Sequence, residues 1–145
     1  MFDKSTRAGF QRRIGNLTPN AERRWGRMTA HQMVCHLTDQ LRVAFGEIPT
    51  QPIRGVLRYP LMKQFVIDVM PWPKGRVQAA SEMFSTPPGV WQHDLTTLSQ
   101  MLERFLTADP RSEWPPHPQF GRMSGPLWGR LVCRHFDHHL SQFGC

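Results

Sequence analysis

Residues 28–46 read MTAHQMVCHLTDQLRVAFG, and no proline or glycine interrupts them before Gly46. Thr29 and Gln32 stand at the spacing of a capping box, in which a threonine hydroxyl and a glutamine side chain each satisfy a free backbone N–H. Gly46 supplies a C-terminal stop. Between them Met33, Leu37, Leu41 and Ala44 fall on one stripe of a 3.6-residue helix, with Asp39 and Arg42 off that stripe. The stretch is an amphipathic helix, and one such helix needs partners to bury its apolar face.

The partners lie on both sides. Residues 3–16 form a first helix with Phe10 and Ile14 four apart, closed by the Gly15-Asn16 region and Pro19. Residues 88–108 form another, carrying Leu95, Leu98, Leu102 and Phe105 at three-to-four spacing. A last helix starts near Ser124, a good N-cap with Pro126 in the first turn, and runs to about Gln142. Residues 48–88 are cut up by Pro49, Pro52, Pro60, Pro71, Pro73, Pro87 and Pro88. Within them 60–70, PLMKQFVIDVM, has room for a short helix, although its apolarity also suits a buried strand. Four long amphipathic segments predict an all-α, four-helix bundle in one domain over 1–145. The long span between the second and third helices requires a crossover connection. Leu37, Leu41, Leu98, Leu102, Phe105, Leu131 and Val132 are its expected core.

The chain has 145 residues, 39% hydrophobic and 20% charged, which excludes a disordered polymer. No apolar run reaches the ~18 residues of a membrane span, so no membrane partner is expected. The N-terminal residues lack the apolar core of a secretory signal, and three scattered cysteines form no CxxC pair; both predict a cytoplasmic chain without disulfides. Of the formal charge of +7, the first 27 residues hold +5: seven Lys and Arg against Asp3 and Glu22. A basic end can grip phosphates, but no interleaved aromatic residues or nucleic-acid motif accompany it, so a solvated helix face is the better reading.

The seven histidines carry the chemistry. His135 and His139 are four apart in RHFDHHLSQFG, ~40° apart around a helix, where two imidazoles can meet one ion. His138 competes with His139; the i, i+4 spacing over Leu131 and His135 favours His139. A third ligand comes from His36, a polar ring among Val34, Cys35 and Leu37 whose burial demands a partner. His31, about 140° away on the same helix, looks like a cap or surface residue. Three imidazoles leave a coordination position open, as in catalytic rather than structural sites.

Residues 25–39, Trp-Gly-Arg-Met-Thr-Ala-His-Gln-Met-Val-Cys-His-Leu-Thr-Asp, resemble the second-helix entry of the DinB/YfiT-like metalloenzyme superfamily. His117-Pro118-Gln119-Phe120-Gly121, Trp128-Gly129 and His135 through Gly144 resemble its last helix. More narrowly, HPxFG…WG…HxxHHLxQFG is similar to an uncharacterised branch, a domain of unknown function. The resemblance covers 25–47 and 117–144, and between them only the order of helices. It implies a four-helix bundle of up-down-down-up connectivity and a divalent metal on His36, His135 and His139. Some members use low-molecular-weight thiols in transfer or isomerisation, so a thiol joins the candidate cofactors, although the chain carries no recognisable thiol-cofactor signature.

The remaining candidates serve this site. Trp128 and Leu131 share the face of His135 and could roof the metal, while Asp39 and Asp94 could accept the second N–H of a ligating imidazole. Cys35 and Cys133 read as buried structural thiols, and His117 as a brace for the last helix. The leading expectation is a metal-dependent enzyme, a transferase or hydrolase, acting on a small-molecule substrate. Imidazole ligands suit zinc, nickel, iron or manganese alike. A non-catalytic bundle fastened by the metal or by a histidine network is the alternative, a nucleic-acid binder the third reading, and a homodimer is left open.

Overall fold

The structure, a computed structural model, describes residues 4–74 and 81–145. Five α-helices follow in order: α1 (Lys4–Gly15), α2 (Ala30–Ala44), α3 (Pro60–Asp68), α4 (Trp91–Thr107) and α5 (Gly125–Gln142). Short 3₁₀ turns occupy Val56–Arg58 and Ser81–Phe84. Among the described residues no strand forms, and one isolated bridge joins His117 to Gly121. None of the described helices is long and apolar enough to cross a membrane.

The local signals fix the ends. Thr29 caps α2 with its hydroxyl on the Gln32 N–H at 3.1 Å, and the Gln32 side chain accepts from the Thr29 N–H at 2.9 Å. The chain leaves α2 through Gly46, whose φ of +72° suits glycine. Ser124 caps α5 through the Leu127 N–H. The expected start of α4 at residue 88 moves to Trp91, because Pro87, Pro88 and Gly89 resist a helical turn; the Gly89 N–H instead meets the Asp94 carboxylate at 2.9 Å.

Residues 60–68 add a helix beyond the four long ones expected. Its sequence is apolar almost all round, which hid its period. Ile67 is buried, whereas Leu61, Phe65 and Val69 just beyond it are exposed. Lys63 is buried as a residue, and its ammonium donates to the Arg122 carbonyl at 2.8 Å. At the other end Arg134 of α5 donates to the carbonyls of Ile67 and Met70, capping the helix end with a cation.

α2 packs on α4, on α5 and on the turn 81–84; α1 packs on α4 and α5, and α3 on α5. All seven expected core residues are buried. Trp128, Phe136, Leu140, Ile14 and Met33 join them, each worth roughly 1.5–3 kcal/mol on full burial. Asp39, expected off the apolar stripe, is fully buried as well. Segment 81–86 covers that side of α2, and Asp39 accepts from the Thr86 N–H at 2.8 Å and the Thr86 hydroxyl at 2.6 Å. Two of the basic residues near the N-terminus are engaged within the fold, Arg7 with Glu103 and Arg13 with Asp137.

Candidate metal centre

α5 projects His135 and His139 from one face, and α2 brings His36 against them. The Nε2 atoms converge: His36 to His135 at 3.1 Å and His139 to His135 at 3.0 Å. His36 is 2% exposed, His135 9% and His139 8%. Burial lowers the pKa of all three, that of His139 to about 3, and for His135 the neighbouring imidazoles add to the effect. At neutral pH the rings are therefore uncharged.

Their partners decide which nitrogen carries the proton. His36 Nδ1 lies 2.8 Å from the Met83 carbonyl, an acceptor, so it must be the N–H. Gln142 donates its amide N–H to the Trp25 carbonyl at 2.6 Å, which turns its Oε1 toward His139 Nδ1 at 2.9 Å. His139 Nδ1 is then also an N–H. Both outer rings aim a bare Nε2 lone pair at His135 Nε2. A single hydrogen on that atom makes one good hydrogen bond and leaves the third nitrogen poorly served. A cation satisfies all three lone pairs together. Tetrahedral ligands 2.0–2.1 Å from an ion stand about 3.3 Å apart, so a modest widening of the observed spacing admits one. His135 Nδ1, the third outer nitrogen, is buried and has no partner among the described residues.

The convergent nitrogens face a pocket of about 230 Å³, walled by Trp25, Met28, Trp72, Phe84 and His138. Phe84 stacks on the His36 ring with centroids 4.6 Å apart, and Trp72 leans on His135 at 5.9 Å. His138, half-buried, packs against both Trp25 and Trp72 at 5.8 and 5.9 Å, and burial lowers its pKa. Gly26 makes the close approach of Trp25 to Gln142 workable. Its φ is +78°, and a Cβ there would stand 2.5 Å from Gln142 Nε2.

The structure thus brings His36, His135 and His139 together but disposes the other sequence candidates differently. Trp128 is no roof: its ring lies on His117, 5.2 Å between centroids, and its Nε1 donates to the Pro115 carbonyl at 3.1 Å. Leu131 borders a different cavity, which shares the His135 ring. Neither Asp39 nor Asp94 accepts from a ligand imidazole; the Met83 carbonyl and Gln142 do so instead. Gln142 had a sequence signal, three residues after His139 on one helix face, whereas a backbone carbonyl leaves none. His117 does brace α5 through Trp128, and its Nδ1 accepts from the Gln119 and Phe120 N–H groups at 3.1 and 3.3 Å.

His31 is neither a cap nor a free surface residue. It binds the Asp94 carboxylate at 2.7 Å, with the Trp91 ring edge-on at 5.3 Å. Cys35 Sγ lies 3.9 Å from the same oxygen, and these three residues form a second cluster with ligand-type atoms close together. Burial, then the Asp94 charge, pushes the Cys35 thiol up to about 11, far from a ready thiolate. Burial alone would raise the Asp94 carboxyl, but the Gly89 N–H and His31 outweigh it and hold it low. This cluster is already satisfied as a hydrogen-bonded pair.

Over residues 12–144 the chain matches the family described as "Protein of unknown function (DUF1569)", and it belongs to that family. No curated protein and no solved structure matches it.

Proposed function

We propose that this DUF1569 member holds one divalent ion on His36, His135 and His139 and acts as a metal-dependent enzyme on a small molecule, by hydrolysis or thiol transfer. The observation that carries the reading is the convergence of three neutral imidazoles whose outer tautomers expose Nε2. A divalent ion in such a site supplies Lewis acidity and lowers the pKa of a bound water or thiol. The chain supplies the rest. The Met83 carbonyl and Gln142 hold two rings in the ligating orientation. Trp25, Trp72 and Phe84 give the pocket an apolar wall that limits water. His138 offers an uncharged imidazole on that wall able to take up a proton from a reacting group. Zinc, nickel, iron and manganese all suit the donor set.

The same reading treats α1, α2, α4 and α5 as one DinB/YfiT-like four-helix bundle of up-down-down-up connectivity, with α3 carried in the crossover. Elemental analysis of the purified protein, followed by cobalt substitution, tests the function. The expected result is one ion per chain and a visible spectrum that shifts when azide or a small thiol is added. A stoichiometric ion whose spectrum ignores both would leave the metal as a fastener between α2 and α5. Absence of any ion after loading and gel filtration would remove the enzyme reading.

A further inference from the structure

A second cavity, of about 340 Å³, lies beside the metal pocket and shares the His135 ring with it. Its wall is apolar, with Leu57, Met62, Val66, Met83, Phe120 and Leu131, and carries no Lys, Arg, Asp or Glu among the described residues. Its size falls within the range of small-molecule pockets. Gln119 and Gln40 break the apolar pattern, and of the two Gln40 is the buried one. It follows His36 by four residues on α2, is 2% exposed, and its Oε1 has no hydrogen-bond partner among the described residues. A buried amide left unpaired opposes folding, and a leucine would fill the same space without that penalty. Of the other buried polar atoms without a partner among the described residues, His135 Nδ1 belongs to a residue that borders this cavity. With an ion at Nε2 this nitrogen must carry the hydrogen, so Gln40 supplies an acceptor and His135 a donor that have no partner among the described residues.

We propose that this cavity binds a compact, uncharged, largely apolar molecule bearing one hydroxyl, the hydroxyl lying at Gln40 and the body among Leu57, Met62, Val66 and Leu131. A hydroxyl donates to Gln40 Oε1 and accepts from His135, which serves both orphans with one group. Both atoms are shielded in the structure, and the broad terminal torsion of glutamine lets the amide turn toward a ligand at little cost. A charged head is disfavoured because no counter-charge lines the wall among the described residues and both bordering histidines, His117 and His135, are buried. The proposal names a ligand class for a cavity adjoining the proposed metal site, and rests on that reading only for the His135 donor.

Calorimetric titration of metal-loaded and of chelator-treated protein with 4-ethylphenol, ethylbenzene and 4-ethylbenzoate tests it. The phenol is expected to bind saturably in both forms, at least tenfold tighter than ethylbenzene, with the benzoate excluded. Gln40→Leu should erase the preference for the phenol and raise the Tm of the ligand-free protein. Met62→Trp, at a partly exposed position on the wall, should abolish binding of the phenol while the metal content measured on the same sample stays unchanged. Failure of the phenol to bind either form, equal binding of the benzoate, or an unchanged preference in Gln40→Leu would each overturn the proposal. Loss of metal from the wild type would count against the metal site alone.

Discussion

Gln142 donates to the Trp25 carbonyl and so presents its oxygen to His139. Because that contact fixes the ring's tautomer, Gln142→Met should weaken metal binding roughly 10–100-fold with the fold intact, read by competition with a chromogenic chelator. Gly26→Ala should act in the same direction, since its Cβ displaces Gln142. His117 offers a separate test. Burial depresses its pKa from 6.5 to about 3, so acid protonates the unfolded chain first. The stability it contributes is present above about pH 6.5 and is lost as pH falls toward 3, at about 1.4 kcal/mol per unit. Asn at 117 can keep an acceptor for the Gln119 and Phe120 N–H groups without titrating. His117→Asn should therefore flatten the acid limb of stability against pH in urea unfolding. At this scale the sequence was readable where one spacing sufficed, as for His135 and His139. It was not readable where a long-range contact decided. Asp94 answers to His31 and Gly89, and Asp39 to Thr86 across a loop whose path no periodicity reveals.

The helices were legible in proportion to their amphipathicity. Thr29 and Ser124 marked their starts because capping is local chemistry, and the stripes of α2 and α4 follow from core burial on one side. α3 was hard to read because its apolar residues do not sort by face: Leu61 is 84% exposed, whereas Lys63 lies buried. Besides buried Ile67 and the Lys63 contact with Arg122, Arg134 holds α3 at its C-terminal end. Arg134→Met should raise amide hydrogen exchange across residues 60–68 while leaving α2 and α4 protected. α5, which carries two of the three histidines, begins where its backbone touches the chain after α4. A Cβ on Gly125 would stand 2.0 Å from the Pro110 carbonyl oxygen. Gly125→Ala should thus destabilise the protein by about 1–3 kcal/mol or more, measured by urea unfolding.

Across the whole molecule, the three imidazoles join α2, from the first third of the chain, to α5 near its end. An ion bound only by the folded protein therefore adds to stability by mass action, about 2.7 kcal/mol at a free concentration a hundred times its Kd. Chelation should lower the Tm by several degrees, and re-addition of zinc should restore it. The second cluster, His31 with Cys35 and Asp94, is satisfied without an ion, so a stoichiometry of one rather than two is expected. The most direct measurement of the central claim is metal content after zinc loading and gel filtration, for the wild type and for His36→Ala, His135→Ala, His139→Ala and His138→Ala. The three-histidine site predicts one zinc per chain in the wild type and in His138→Ala, and little or none in the other three. Undiminished zinc in His36→Ala, or loss in His138→Ala with retention in His139→Ala, would contradict it.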